Sequence, residues 1–159
     1  MRTGDKLRFC ADLMRKQTDL VRQIETRANI VIGLSGAAIA FAINKASTVD
    51  HPLVTPVLVG TALLSIVFAL MAIKPPRYLS RHGQIPSVFY HTYITRFTQK
   101  DFVKEISKVS SRVDLTVEEY AKETFNIVKY SLQFKKRFAH LAITVFTLGI
   151  VATVAAWLF

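Results

Sequence analysis

A stretch rich in cationic and aromatic side chains, in the middle of the chain, is the first candidate for ligand chemistry. Residues 74–97 read KPPRYLSRHGQIPSVFYHTYITRF and form what we call the cation–aromatic strip. Cations pair with phosphate and flat rings stack on nucleobases, so the strip suits a nucleotide. It equally suits a membrane surface, because basic and aromatic residues beside a span bind anionic headgroups. The candidate nucleotide-binding residues are Arg77, Arg81, Tyr90, His91, Tyr93 and Arg96.

The sequence lacks the patterns that enzymes of common classes carry. It has no glycine-rich phosphate loop, and the GLSG segment around Ser35 lacks the spacing of a nucleophile elbow. The four histidines are scattered, and the single cysteine, Cys10, has nothing to pair with. We therefore expect no catalytic residue, no metal site and no cofactor.

Apolar residues come in blocks rather than at regular intervals. Residues 52–73 form an uncharged run of 22, and residues 138–159 form a second run of 22 that contains only His140 as a titratable group. A transmembrane helix needs about 20 such residues. A third, shorter block follows Arg27. The sequence predicts an all-α integral membrane protein with transmembrane helices at 28–46, 53–73 and 138–159.

The first span is unusually rich in small residues. Glycine and alanine recur at the small-xxx-small spacing that lets membrane helices approach closely. The residues predicted to form this packing face are Gly33, Gly36, Ala37 and Ala40.

The distribution of charge predicts the topology. Residues 1–27 carry seven Lys or Arg and residues 74–137 carry thirteen, whereas residues 46–52 carry none. Basic segments favour the cytoplasmic side. We expect a multi-pass protein with a cytoplasmic N-terminus and a C-terminus on the opposite side.

The polar segments predict a small cytoplasmic helical domain, formed by helical extensions of the first and third spans. Residues 1–27 form an amphipathic helix whose stripe includes Leu7, Met14 and Val21. Residues 74–137 form a loop and helical region. Thr98 is the expected cap of a short helix. Thr116, with a glutamate three residues later, is the expected cap of a helix that continues to the C-terminus.

Charged residues flank the ends of the predicted spans. Glu25 and Arg27 precede the first span, and Lys129 and Lys135 precede the third. If the two long helices pair, Glu25 and Arg27 come within reach of the lysines. Interfacial anchoring is the alternative for these charges.

Three short motifs resemble those of the Pycsar transmembrane effector family. One is Glu25-Thr26-Arg27-Ala28, where the family has Asp-x-Lys-Ala. The second is the proline-rich exit KPPRYLS with the aromatic strip SVFYHTYI, and the third is Glu118-Glu119-Tyr120 with Lys129-Tyr130. The resemblance covers nearly the whole chain.

This resemblance implies an antiphage defence effector that causes abortive infection. The cytoplasmic part, with residues 74–137 as sensor, would bind a cyclic nucleotide, with a mononucleotide such as cUMP or cCMP favoured. The spans would impair the bacterial inner membrane, with the C-terminus in the periplasm. The implied partners are this nucleotide, the lipid bilayer and further copies in a homo-oligomer, but no nucleic acid polymer. A small membrane adaptor or channel subunit without nucleotide binding is the alternative.

The charge asymmetry makes a direct prediction about topology. A reporter fused after Phe159 should be active only outside the cytoplasm, and one inserted near Gly83 only inside it, because basic segments are retained in the cytoplasm. Paired reporters for the two compartments measure this. The reverse pattern at both positions would contradict the three-span arrangement with the N-terminus inside.

Overall fold

Helices are the only regular secondary structure in the described part of the chain. A computed structural model describes residues 3–45, 53–74, 85–89 and 91–158, and these ranges contain no strand. The helices are α1 (Thr3–Lys45), α2 (Val54–Ile73), α3 (His91–Ile94), α4 (Gln99–Ser110), α5 (Val113–Asn126), a π-helix (Ile127–Leu132) and α6 (Gln133–Leu158). The predicted all-α fold is confirmed.

Three helical stretches are long and apolar enough to cross a membrane. They are Gly4–Lys45 within α1, all of α2, and Val113–Leu158, which joins α5, the π-helix and α6. The prediction of three helices of spanning length is therefore confirmed.

The chain divides into two compact units. The amphipathic unit consists of Met1–Val21 and Arg77–Gln133, and the apolar unit consists of Arg22–Pro76 and Phe134–Phe159. Helix α1 contributes residues to both units, and so does the continuous run from α5 to α6.

Alanine side chains fill much of the centre of the apolar unit. Its buried cluster takes a pair of residues from each long helix, and phenylalanine and isoleucine side chains pack around them. Small residues at helix contacts allow backbones to approach closely, which is how helices gain packing energy in lipid. The cluster consists of Ala28, Val31, Ala69, Ala72, Ala139 and Ala142.

Two further contacts bring α2 and α6 together. The hydroxyl of Ser65 in α2 donates a hydrogen bond of 2.8 Å to the carbonyl oxygen of Ala142 in α6, and Ser65 is fully buried. Gly149 of α6 lies against Thr61 of α2 so closely that a Cβ at position 149 would overlap the threonine side chain. The absence of a side chain at Gly149 therefore permits this approach.

The predicted apolar face of the first helix is confirmed, and so is the face that the spacing of Phe102, Ile106 and Val109 predicts for the short helix. Leu7, Met14 and Val21 are half-buried, whereas their neighbours on the other side of α1 are exposed. Thr98 caps α4, since its hydroxyl oxygen accepts a hydrogen bond of 3.3 Å from the Asp101 N–H. Val109 is the buried residue of α4.

The predicted start of the next helix is wrong. Helix α5 begins at Val113, after Arg112 in an extended conformation, so Thr116 lies inside the first turn. The Thr116 hydroxyl donates a hydrogen bond of 2.9 Å to the carbonyl oxygen of Val109 at the end of α4. The threonine thus joins α5 to the preceding helix instead of capping its own. Asp114 supplies the negative charge that favours a helix N-terminus.

The spacing of Val117, Ala121 and Phe125 predicts an apolar stripe on this helix, and the inward face of α5 differs from it. Ala121 and Phe125 are exposed, whereas Glu123 and Asn126 are buried. Polar side chains therefore take the positions that the spacing of apolar residues assigned to the interior. The π-helix that follows was not predicted either.

The contact of Gly149 with Thr61 predicts a large difference between two glycine substitutions. Gly149→Ala should destabilise the protein by about 1–3 kcal/mol, the usual cost of overpacking. Gly60→Ala in α2 is the matched control, since a Cβ there meets nothing within 4 Å, and it should be neutral or slightly stabilising. Thermal unfolding in detergent measures both. Equal stability of the two variants would show that α2 and α6 do not pack at Gly149.

Candidate functional site

The described part of the cation–aromatic strip includes only some of the predicted binding residues. Arg77, Arg81 and Tyr90 lie outside the described residues, and His91 is described only as the first residue of α3. Tyr93 is half-buried and Arg96 is exposed. Binding by these six residues stays a prediction.

Aromatic rings continue from α3 into α4. The Tyr93 ring meets the Phe97 ring edge-on, with centroids 5.0 Å apart, and Phe97 lies 6.4 Å from Phe102. The chain turns between the two helices, where the Arg96 N–H donates to the Tyr93 carbonyl oxygen at 3.1 Å. The Arg96 side chain is therefore exposed beside an aromatic row, an arrangement that suits an anionic ligand with a flat ring.

Residues 85–89, in the centre of the strip, are held on α5 by a two-point amide contact. The Ile85 N–H donates to Asn126 Oδ1 at 3.0 Å, and Asn126 Nδ2 donates to the Ile85 carbonyl oxygen at 2.7 Å. A primary amide matches a backbone peptide in this way because it carries both a donor and an acceptor.

The acidic-tyrosine motif, Glu118-Glu119-Tyr120, makes the second attachment of this segment. The Val88 N–H donates to Glu119 Oε2 at 2.9 Å. The Phe89 ring lies against the Tyr120 ring, with centroids 4.8 Å apart. Glu119 and Tyr120 thus contact the cation–aromatic strip directly, a role that their positions in the sequence do not reveal.

An ion-pair network surrounds Glu119. Lys122 Nζ lies 2.8 Å from Glu118 and 2.9 Å from Glu119. Partial burial raises the pKa of Glu119, but hydrogen bonds from Lys122 and Val88 outweigh it, so the pKa lies below its usual value. Hydrogen bonds to Glu118 and Glu119 raise the pKa of Lys122.

These shifts fix the pH range in which the network stabilises the fold. The contribution of Glu119 is present at neutral pH and is lost as the pH falls through its lowered pKa. The contribution of Lys122 is lost only as the pH rises through its raised pKa. Glu119 and Lys122 are therefore both charged across the physiological pH range.

Lys129, predicted as a membrane-boundary charge, lies in the π-helix between aromatic rings. Its Nζ is 5.0 Å from the centroid of the Phe125 ring and 5.6 Å from that of Tyr130. Both distances are typical of cation–π contacts. Arg27, the second predicted boundary charge, is exposed on α1.

Glu25, the third boundary charge, forms an ion pair that links two helices of the apolar unit. Lys135 of α6 is buried, and its Nζ forms an ion pair with Glu25 of α1. The same ammonium donates a hydrogen bond of 3.1 Å to the carbonyl oxygen of Ile73, the last residue of α2. Lys135 of α6 therefore bonds to both other long helices, α1 and α2, at one end of the apolar unit.

The predicted small-residue face of α1 points away from these contacts. Gly33, Gly36, Ala37 and Ala40 are exposed within the single chain, and a Cβ at either glycine would meet nothing within 4 Å. The small residues that pack inside the apolar unit are instead those of its alanine cluster. Whether the exposed face binds a second copy stays a prediction.

The amide contact of Asn126 makes a measurable prediction. Asn126→Leu should accelerate hydrogen exchange at the Ile85 N–H about five- to a hundredfold, since two hydrogen bonds worth about 0.5–1.5 kcal/mol each are lost. Hydrogen-exchange mass spectrometry measures this. Gln133→Leu is the control, because Gln133 is an exposed amide at the start of α6. Equal exchange at Ile85 in both variants would contradict the attachment.

Comparison of the amino-acid sequence with known protein families identifies the family of this chain. The family model described as the Pycsar effector protein domain matches residues 11–159. Comparison with curated proteins and with solved structures gives no match. The match includes the acidic-tyrosine motif, the cation–aromatic strip and all three apolar helices. The chain therefore belongs to the Pycsar effector family.

Proposed function

We propose that this chain binds a cyclic nucleotide through its amphipathic unit and, once bound, impairs the bacterial inner membrane. Its family implies a cyclic-nucleotide-associated antiphage defence effector. We propose that events follow in this order: the nucleotide signals infection, the spans damage the membrane, and the infected cell stops growing. A cyclic mononucleotide such as cUMP or cCMP is the proposed ligand. The chain itself performs no catalysis.

The attachment of residues 85–89 to α5 is the observation that supports this proposal most. Asn126 and Glu119 bind the centre of the strip. The same helix continues through the π-helix into α6, without an interruption between Val113 and Leu158. A ligand on the strip would thus act on a helix that is continuous with a membrane span.

A ligand shifts such a system only if it binds one of two states more tightly. A π-helix has a backbone hydrogen-bond pattern that differs from the α-helices on either side, and such segments occur frequently at functional sites. The π-helix at Ile127–Leu132 is our candidate for the element that has two states. Its Lys129 and Tyr130 belong to one of the family-like motifs.

Membrane impairment in our proposal requires several copies. We place the N-terminus in the cytoplasm and the C-terminus in the periplasm, as the basic segments indicate. The exposed face of Gly33, Gly36, Ala37 and Ala40 would form the contact between copies. Replacement of Gly36 by Leu would then block assembly while leaving insertion intact.

Nucleotide binding by single variants tests the proposal. Arg77→Ala, Arg81→Ala or Arg96→Ala should each weaken binding about ten- to a hundredfold, since a hydrogen bond to a charged group contributes about 1.5–3 kcal/mol. Tyr90→Ala or Tyr93→Ala removes a stacking face worth about 1–3 kcal/mol, whereas Tyr→Phe keeps the ring and should be milder. Calorimetry in detergent, without anionic lipid, gives the affinities.

Arg112→Ala is the matched control for these variants. Arg112 is an exposed arginine of the same unit that lies outside the strip, so its replacement should leave the affinity unchanged. If no cyclic nucleotide binds the wild-type protein, or if all arginine variants bind equally well, the strip is a membrane-surface anchor and the proposal is wrong.

A further inference from the structure

A cavity of about 340 Å³ lies in the apolar unit, where α1 ends and α2 begins. Phe41 of α1, Leu58 of α2 and Val154 of α6 line its walls, so all three long helices contribute. Trp157 and Lys45 complete the lining. The volume falls within the range of about 300–1,000 Å³ that ligand pockets have.

The walls of this cavity suit hydrocarbon. Most of its lining side chains are apolar, and none of them is acidic. The hydroxyl of Thr153, one of the two lining threonines, donates to the Gly149 carbonyl oxygen at 2.7 Å. The Thr153 hydroxyl thus already donates its hydrogen bond within α6, so this side chain presents mainly its methyl group to the cavity.

One part of the lining suits an anion. Lys45 contributes a cation, and a lysine ammonium has three donors, so it can bind a phosphate together with another partner. Val54 and Thr55 belong to the first turn of α2, which no side chain caps through a hydrogen bond in the described part of the chain. The N–H groups of an uncapped first turn favour negative charge.

We propose that this cavity binds a single anionic phospholipid, with an acyl chain against Phe41, Leu58 and Val154 and the phosphate at Lys45. A lipid matches both parts of the lining, since it combines a hydrocarbon chain with an anionic group. The cavity belongs to a unit that carries three apolar helical segments, where lipid is the surrounding solvent. The inference does not depend on nucleotide binding.

Trp157 allows a direct test, because it is the only tryptophan of the chain and lines the cavity. The full-length protein is placed in phosphatidylcholine nanodiscs that contain a small fraction of lipid with brominated acyl chains, which quench tryptophan fluorescence on contact. Brominated phosphatidylglycerol should bind about ten- to a hundredfold more tightly than brominated phosphatidylcholine, the difference that a charge-assisted phosphate contact provides.

Two variants and one control identify the site. Lys45→Gln should abolish the preference for phosphatidylglycerol, whereas Lys74→Gln, which replaces an exposed lysine after the other end of α2, should keep it. Val154→Phe, at a half-exposed position, should reduce the quenching by filling part of the cavity. Circular dichroism checks that each variant is folded.

Two outcomes would overturn the proposal. One is equal quenching of wild-type Trp157 by the two lipids, which would show that the lipid contact is unspecific, or a preference that survives Lys45→Gln, which would show that Lys45 does not bind the phosphate. The other is protection of Trp157 from both lipids, which would indicate that a second copy of the chain covers the cavity.

Discussion

The buried ammonium group of Lys135 links the three long helices of the apolar unit through polar contacts. A charge in an apolar interior costs several kcal/mol unless it is paired and hydrogen-bonded. Glu25 and the Ile73 carbonyl oxygen supply the pair and the hydrogen bond. Because these partners come from α1 and α2 and the lysine from α6, satisfying one charge aligns the middle of α1 with the end of α2 and the start of α6.

The alanine cluster depends on the same alignment. Alanine side chains are short, so they stabilise the apolar unit only where helix backbones approach closely. Ala28 follows Glu25 by one turn of α1, and Ala139 follows Lys135 by one turn of α6. The ion pair therefore brings together the positions at which the small residues must meet. Farther along, Ser65 and Gly149 maintain the approach of α2 to α6.

The sequence predicts the apolar part of this structure better than the polar part. The two uncharged runs of 22 residues are each long enough to cross the hydrocarbon core as a helix, so they predict two spans directly, and the shorter block after Arg27 is identified as a third span beside them. The inward face of α5 does not follow from composition, because the sequence pattern alone makes Glu119 and Asn126 look solvent-exposed, whereas in the structure they bind the backbone of residues 85–89. Thr116 matches a capping pattern, but its hydroxyl contacts Val109. The π-helix has no sequence signal that periodicity detects.

In our proposal, a nucleotide on the cation–aromatic strip causes the spans to impair the membrane. Leakage of a dye from liposomes that contain only the purified protein measures this effect. We expect leakage when a cyclic mononucleotide is added on the side of the amphipathic unit, and tight vesicles without it. Leakage that is independent of the nucleotide, or nucleotide binding that leaves the vesicles tight, would contradict it.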